Sequence, residues 1–287
     1  MAFNLLKKLF IGGEWGVAYK KKGDIDYTII KMPRGYWVAD PMLFEYKDTH
    51  YLFAEVYENK KKKAGIGYFV FENEIPIYKG LIISNDYHMS YPCVFEYKNN
   101  IYMIPETSAN SSLELYKAIS FPNKWEKIST ILDECSFVDT TVFLKDNIIY
   151  LLTYTKNKSF WEVILYSLKI DEAILKEESR LSYNKNVGRP AGYLLNKNGY
   201  FLRPAQDSNV KYGERILLYK IKSLFPFNEE LVDKLEVSDL SLPKKAKRTH
   251  TYSEDNVFVV VDFFAEKFEL FHALDIYKRS HFKKRTR

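Results

Sequence analysis

The sequence holds only two cysteines, Cys93 and Cys135, and their spacing matches no metal-binding pattern. Neither needs a disulfide partner, which suits a reducing cytosol. Apolar runs stay short of the roughly 18 residues that a membrane-spanning helix requires. The opening stretch MAFNLLKKLFIGGEW lacks the small-residue cleavage site of a secretory signal, and its apolar run is too short for one. A phosphate-cradling glycine loop is missing too, since GIGYF does not follow the P-loop pattern. The net charge of +6 comes largely from lysine runs such as YKKKG and NKKKKAG. No nucleic-acid-binding motif accompanies them, so they read as solvated loops and no nucleic-acid partner is expected.

Aromatic residues, by contrast, are plentiful at 16%, with 23 Tyr and 20 Phe. Such side chains suit the half-buried surface of a pleated sheet. They fall in a repeat. SYPCVFEYKNNIYMIPET returns 51 residues after ADPMLFEYKDTHYLFAEV, and VDTTVFLKDNIIYLLTY and GRPAGYLLNKNGYFLRPAQD follow at offsets of 99 and 149. A looser fifth copy is RTHTYSEDNVFVVVDF. Each copy reads as a strand, a polar turn and a second strand. Two further strand-like runs follow each of the first four copies. Four strands every ~50 residues is the period of a propeller blade, although the Gly-Gly signature of kelch repeats is absent.

The chain therefore reads as a single all-β domain, a five-bladed β-propeller. Its blades lie near residues 36–85, 88–134, 137–184, 188–238 and 249–279. The fifth copy lacks an outer strand, and a strand from residues 14–31 is expected to close the ring by pairing near residues 268–278.

In such a hairpin the start of the first strand and the end of the second share one edge. Residues at those places converge on one mouth of the central channel. They are Asp40 and Glu55; His88, Tyr91 and Glu106; Asp139 and Tyr154; Arg189, Arg203, Gln206 and Asp207; and His250, Tyr252 and Asp262. Two readings stay open for the acids among them: a chemical site, or latches that pair with Arg189 and Arg203 between blades. Cys93 lies inside a strand and reads as core. A metal site built from His88, His250 and acids stays open although no short ligand spacing calls for it, and no cofactor is expected.

The motifs YWVADPMLF, HMSYPCVFE, YMIPETS, FVDTTVF, RPAGY, RPAQDSNVKYGERI and THTY resemble a known family. It is the domain at the N-terminus of plant glucosamine inositolphosphorylceramide transferases, together with stand-alone bacterial relatives. The resemblance runs from about Trp15 to Asp262. That domain is similar in turn to the five-bladed propellers of glycoside hydrolase family 43. The likeness implies Asp40 as catalytic base, Asp139 as the aspartate that tunes and orients, and Glu106 as general acid, with the other mouth residues binding substrate. It implies a carbohydrate-active enzyme that hydrolyses or transfers a glycosyl unit, in bacterial surface-polysaccharide biosynthesis. The alternative is a non-catalytic sugar-binding propeller serving a partner glycosyltransferase. The expected ligand is a glycan or a nucleotide- or lipid-linked sugar, met in the cytoplasm. The chain ends MAFNLLKKLF and KRSHFKKRTR carry a further expectation, peripheral contact with an anionic membrane.

Overall fold

The computed structural model describes residues 11–197, 199–242 and 246–268. The chain opens with β1 (Ile11–Lys21) and β2 (Thr28–Ile29), which belong to the last sheet. The first blade follows as β3 (Tyr36–Tyr46), β4 (Thr49–Glu58), β5 (Lys63–Glu72) and β6 (Ile75–Ile83). The second is β7 (Ser90–Tyr97), β8 (Asn100–Glu106), β9 (Ser112–Ser120) and β10 (Lys124–Asp133). The third is β11 (Val138–Lys145), β12 (Ile148–Asn157), β13 (Phe160–Lys169) and β14 (Ile174–Tyr183). The fourth holds β15 (Val187–Pro190), β16 (Leu195–Lys197), β17 (Tyr200–Asp207), β18 (Arg215–Leu224) and β19 (Phe227–Leu235). The fifth takes β20 (Ala246–Arg248), β21 (Tyr252–Glu254) and β22 (Phe258–Phe268), and β1 and β2 complete it. Five antiparallel sheets result, one per blade.

The repeated polar turns explain the hairpins. Lys47–Asp48, Lys98–Asn99 and Asp146–Asn147 each place both central residues at positive φ, between 49° and 61°. That geometry matches the twist of the flanking strands. The core lies between blades rather than within one. Val17 and Val260 of the fifth blade pack with Leu52 and Phe69 of the first. Phe53 and Ile66 of the first meet Val94 and Met103 of the second. Leu115 of the second packs with Leu151 of the third, and Leu165 of the third with Phe227 of the fourth. Cys93 is core as expected: it is fully buried, its sulfur accepts the Val142 N–H at 3.2 Å, and burial pushes its thiol up to about 12. The outermost strands β14 and β19 are largely exposed and carry the charged runs KEESR and EELVDK, which discourage edge-to-edge pairing.

Closure differs from expectation in its partner. β1 pairs antiparallel with β22 over eleven positions, from Ile11↔Phe268 to Lys21↔Phe258, and β2 pairs with β1. The N-terminal segment thus supplies both outer strands of the fifth blade. Residues 269–279, expected to form a strand there, and the amphipathic and basic chain ends lie outside the described residues.

The fourth blade also departs from the repeat. Its innermost strand breaks after Pro190, and Ala191–Leu194 swing into the ring's centre. There Gly192 donates its N–H to the Tyr91 hydroxyl (2.6 Å) and accepts from Thr141 Oγ1 (3.0 Å), while Tyr252 donates its N–H to Ala191 (2.8 Å). Tyr193 reaches across to the backbone of Val94. Only glycine fits at position 192: φ is +137°, and a Cβ would stand 1.8 Å from the Tyr252 carbonyl oxygen.

Candidate functional site

The first three inner strands each carry a bulge near the start, and Asp40, Tyr91 and Asp139 stand in those bulges at φ 48°, 44° and 50°. In the fourth blade Gly188 takes this place at φ 93°. Bulges re-aim side chains. Here the re-aimed strand heads surround a cleft of about 230 Å³ at one mouth of the ring. Asp40 and Glu55 line it from the first blade, His88, Ser90 and Glu106 from the second, Arg189 from the fourth and His250 from the fifth. Three aromatic rings complete the wall: Trp15 from β1, Trp37 from β3 and Tyr212 from the loop after β17. Trp15 stacks on His250 at 3.9 Å between ring centres.

Two hydrogen-bonded networks hold the cleft. In the first, Asp262 Oδ1 accepts the backbone N–H groups of His250 (2.9 Å) and Thr251 (3.0 Å). Its Oδ2 accepts the Asp40 N–H at 3.2 Å and lies 2.5 Å from His250 Nδ1. Asp40 Oδ1 accepts from Thr251 Oγ1 at 2.9 Å. In the second, Arg189 clasps Asp139 through Nε and Nη2 (2.9 Å to Oδ1), and the same Nη2 donates to Glu106 at 3.0 Å. Gln206 Nε2 donates to Asp139 at 2.7 Å from beneath, and Ser108 donates to Glu106 at 2.6 Å. His88 Nε2 sits 3.1 Å from Glu55 Oε1.

Burial sets the electrostatics. It lifts Asp40 to about 6; the charge of His250 opposes this, and the carboxylates of Asp139 and Asp262 add to it. Asp139 also rises to about 6, because burial outweighs the Arg189 guanidinium and Glu106 repels it. Burial likewise raises Glu55 against the pull of His88. His250 moves the other way from a buried imidazole: burial works against its charge, but Asp262 holds it up at about 9. His88 is raised too, since Glu55 outweighs the burial that opposes its charge. Asp40, His250 and Asp262 each bring a ligand atom within 4.8 Å of the others. The same atoms carry the hydrogen bonds of the first network.

Of the residues expected at the mouth, Asp40, Glu55, His88, Glu106, Arg189 and His250 line the cleft, and Asp139, Gln206 and Asp262 lie directly beneath it. Five do not belong to it. Arg203 is fully buried in an ion pair with Glu229 and donates to the Gly188 carbonyl, so it is a latch within the fourth blade. Tyr91 spends its hydroxyl on Thr141 and Gly192. Asp207 pairs with Arg215, and Tyr252 donates to Glu254. Tyr154 bonds Asn186 and the Val187 carbonyl, and borders a neighbouring pocket of about 360 Å³. Trp15, Trp37, Ser90 and Tyr212 were not anticipated. Trp37 and Tyr212 stand inside the motifs YWVADPMLF and RPAQDSNVKYGERI; Trp15 becomes visible only once β1 is placed beside β22.

The profile of the family described as glucosamine inositolphosphorylceramide transferase 1, N-terminal, matches residues 26–256, a span that includes every lining residue of the cleft except Trp15. The chain is 30% identical over 198 residues to glucosamine inositolphosphorylceramide transferase 1 of Oryza sativa subsp. indica, covering 66% of this chain and 26% of that protein. The Arabidopsis thaliana protein of the same name is 28% identical over 222 residues, 74% of this chain and 29% of its own length. The chain thus spans under a third of these relatives. Among solved structures, a family 117 glycoside hydrolase of Zobellia galactanivorans superposes with a TM-score of 0.56 at 12% identity, covering 92% of both chains. An α-L-arabinofuranosidase of Clostridium thermocellum gives 0.57 at 12% identity, covering 76% of this chain and 78% of its own. At such identities the likeness shows the fold alone.

Proposed function

We propose, for a chain that belongs to the family of glucosamine inositolphosphorylceramide transferase 1 N-terminal domains, that the mouth cleft binds a glycosyl unit and hydrolyses or transfers it. One observation carries this reading: Asp40, Glu55 and Glu106 share a single cleft with His88, His250 and three aromatic rings. Glycosyl chemistry needs two carboxyl groups beside the anomeric carbon, one ionised and one protonated. Asp40, near 6, is the base. Glu106 is the acid, and Arg189 ties it to Asp139. Glu55 and His88 hold sugar hydroxyls, and the rings stack on the sugar faces. The cleft is below the roughly 300–1,000 Å³ of drug-sized sites, which suits one sugar ring. The setting we propose is surface-polysaccharide assembly on the cytoplasmic side.

The Arg189 clasp supports a second reading. A carboxylate bound to a guanidinium must leave that pair before it can donate a proton. If Glu106 stays paired, the propeller binds sugar and a partner glycosyltransferase performs the chemistry. Incubation with a panel of nucleotide sugars and nitrophenyl glycosides, read by mass spectrometry and calorimetry, separates the two. Turnover that disappears in Asp40→Asn supports the enzyme. Binding without turnover supports the sugar-binding module. Neither binding nor turnover across the panel overturns both.

A further inference from the structure

Beside the cleft lies the second pocket of about 360 Å³, and the two share the side chains of Arg189 and Tyr212. Tyr212 lies over the Arg189 guanidinium, 5.5 Å from it, so this pair forms the wall between them. The chemistry on the two sides of that wall is opposite. The mouth cleft contains three carboxylates, whereas no Asp or Glu among the described residues lines the second pocket. Lys156 stands there with its ammonium 5.2 Å from the Trp161 ring, and Thr155, Asn186 and Ser208 add neutral groups.

Their donors are open to a ligand. Asn186 Oδ1 accepts from Tyr154, and its amide N–H groups have no partner among the described residues. Ser208 Oγ accepts the Gly213 N–H, which leaves its hydroxyl proton to be given away. Arg189 commits Nε and Nη2 to Asp139 and Glu106, but Nη1 has no partner among the described residues. The strand acids beside the lining each have a cationic partner: Asp139, next to Val138, pairs with Arg189, Asp207, next to Ser208, with Arg215, and Glu162, opposite Thr155, with Arg180. An acid-free pocket with two cations and several unspent donors recognises an oxyanion.

We infer that the second pocket binds the phosphate of a phosphate-linked sugar whose glycosyl unit occupies the mouth cleft, with Arg189 at the joint. This rests on the glycosyl reading and narrows it to activated, phosphate-bearing donors. Glu106 and Asp139 already draw on Arg189, so the larger share of the anion's charge falls to Lys156.

The test uses UDP, farnesyl phosphate and inorganic pyrophosphate, titrated calorimetrically into the full-length protein at fixed ionic strength. Binding of any of them that weakens about tenfold or more in Lys156→Glu supports the pocket, as does the same loss in Asn186→Asp, which keeps the side-chain shape. Tighter binding of UDP than of pyrophosphate marks a nucleotide source, and tighter binding of farnesyl phosphate a lipid source. No binding at millimolar concentration, or equal binding by wild type and both variants, overturns the proposal. Asp40→Asn separates it from the glycosyl reading. Phosphate binding that survives in Asp40→Asn while wild type turns over no sugar sustains the pocket and sinks the glycosyl reading. Turnover of nitrophenyl glycosides without phosphate binding does the reverse.

Discussion

Asp40, Tyr91 and Asp139 hold a left-handed backbone conformation that costs most L residues about 1–2 kcal/mol. Asparagine tolerates it better than other side chains, so Asp→Asn probes the charge without disturbing the bulge. Asp139→Asn removes one of the two charged partners of the largely buried Arg189 guanidinium and should lower stability by about 1.5–3 kcal/mol. Urea unfolding reads this, and an unchanged midpoint would show that Glu106 alone satisfies Arg189. His250 gives a pH signature. Its folded value, about 9, stands above the ordinary 6.5, so its contribution is complete below pH 6.5 and is lost as pH rises through 9. The full span is on the order of 3 kcal/mol. Thermal melts across pH 6–10 should show the fall, and His250→Gln should flatten it. Much of the site was readable because hairpin ends converge whatever the side chains. Arg203 was misplaced for a local reason: it lies three residues from Gln206, and strand alternation sends residues an odd number apart to opposite faces.

The break in the inner strand of the fourth blade is the element that the repeat concealed. Strand propensity in GRPAGYLL says nothing of a partner across the ring, and the hydroxyls of Tyr91 and Thr141 that capture Gly192 lie about 100 and 50 residues away. The other hairpins were legible because the turn chemistry of Lys-Asp, Lys-Asn and Asp-Asn is local. Gly192→Ala should be severe, since the obstructing atom is the Tyr252 backbone oxygen, which cannot rotate away. A loss of at least about 3 kcal/mol is expected, a fall in Tm of roughly 6 °C or more. Gly199→Ala is the control: it also has positive φ but meets nothing within 4 Å, so about 1 kcal/mol suffices. Equal effects of the two would show that the axial contact contributes little.

At the scale of the whole molecule, the ring holds together through one seam. Fivefold repetition and the unpaired N-terminal strand made closure foreseeable, but not its register, because residues 11–21 match β22 by tertiary packing of Val17 and Ala18 rather than by any local signal. Removing residues 1–22 should abolish cooperative thermal unfolding, and a synthetic peptide of residues 11–30 added in trans should restore it. A truncated chain that melts like wild type would refute the seam. The same seam brings Trp15 against His250. A ribosome makes β1 first and β22 only after nearly the whole ring has emerged, so the first strand waits through the synthesis of all the others. Until they meet, the cleft lacks a wall. A chain that stops short of β22 therefore presents no finished site, and the cleft exists only once the last blade has been assembled.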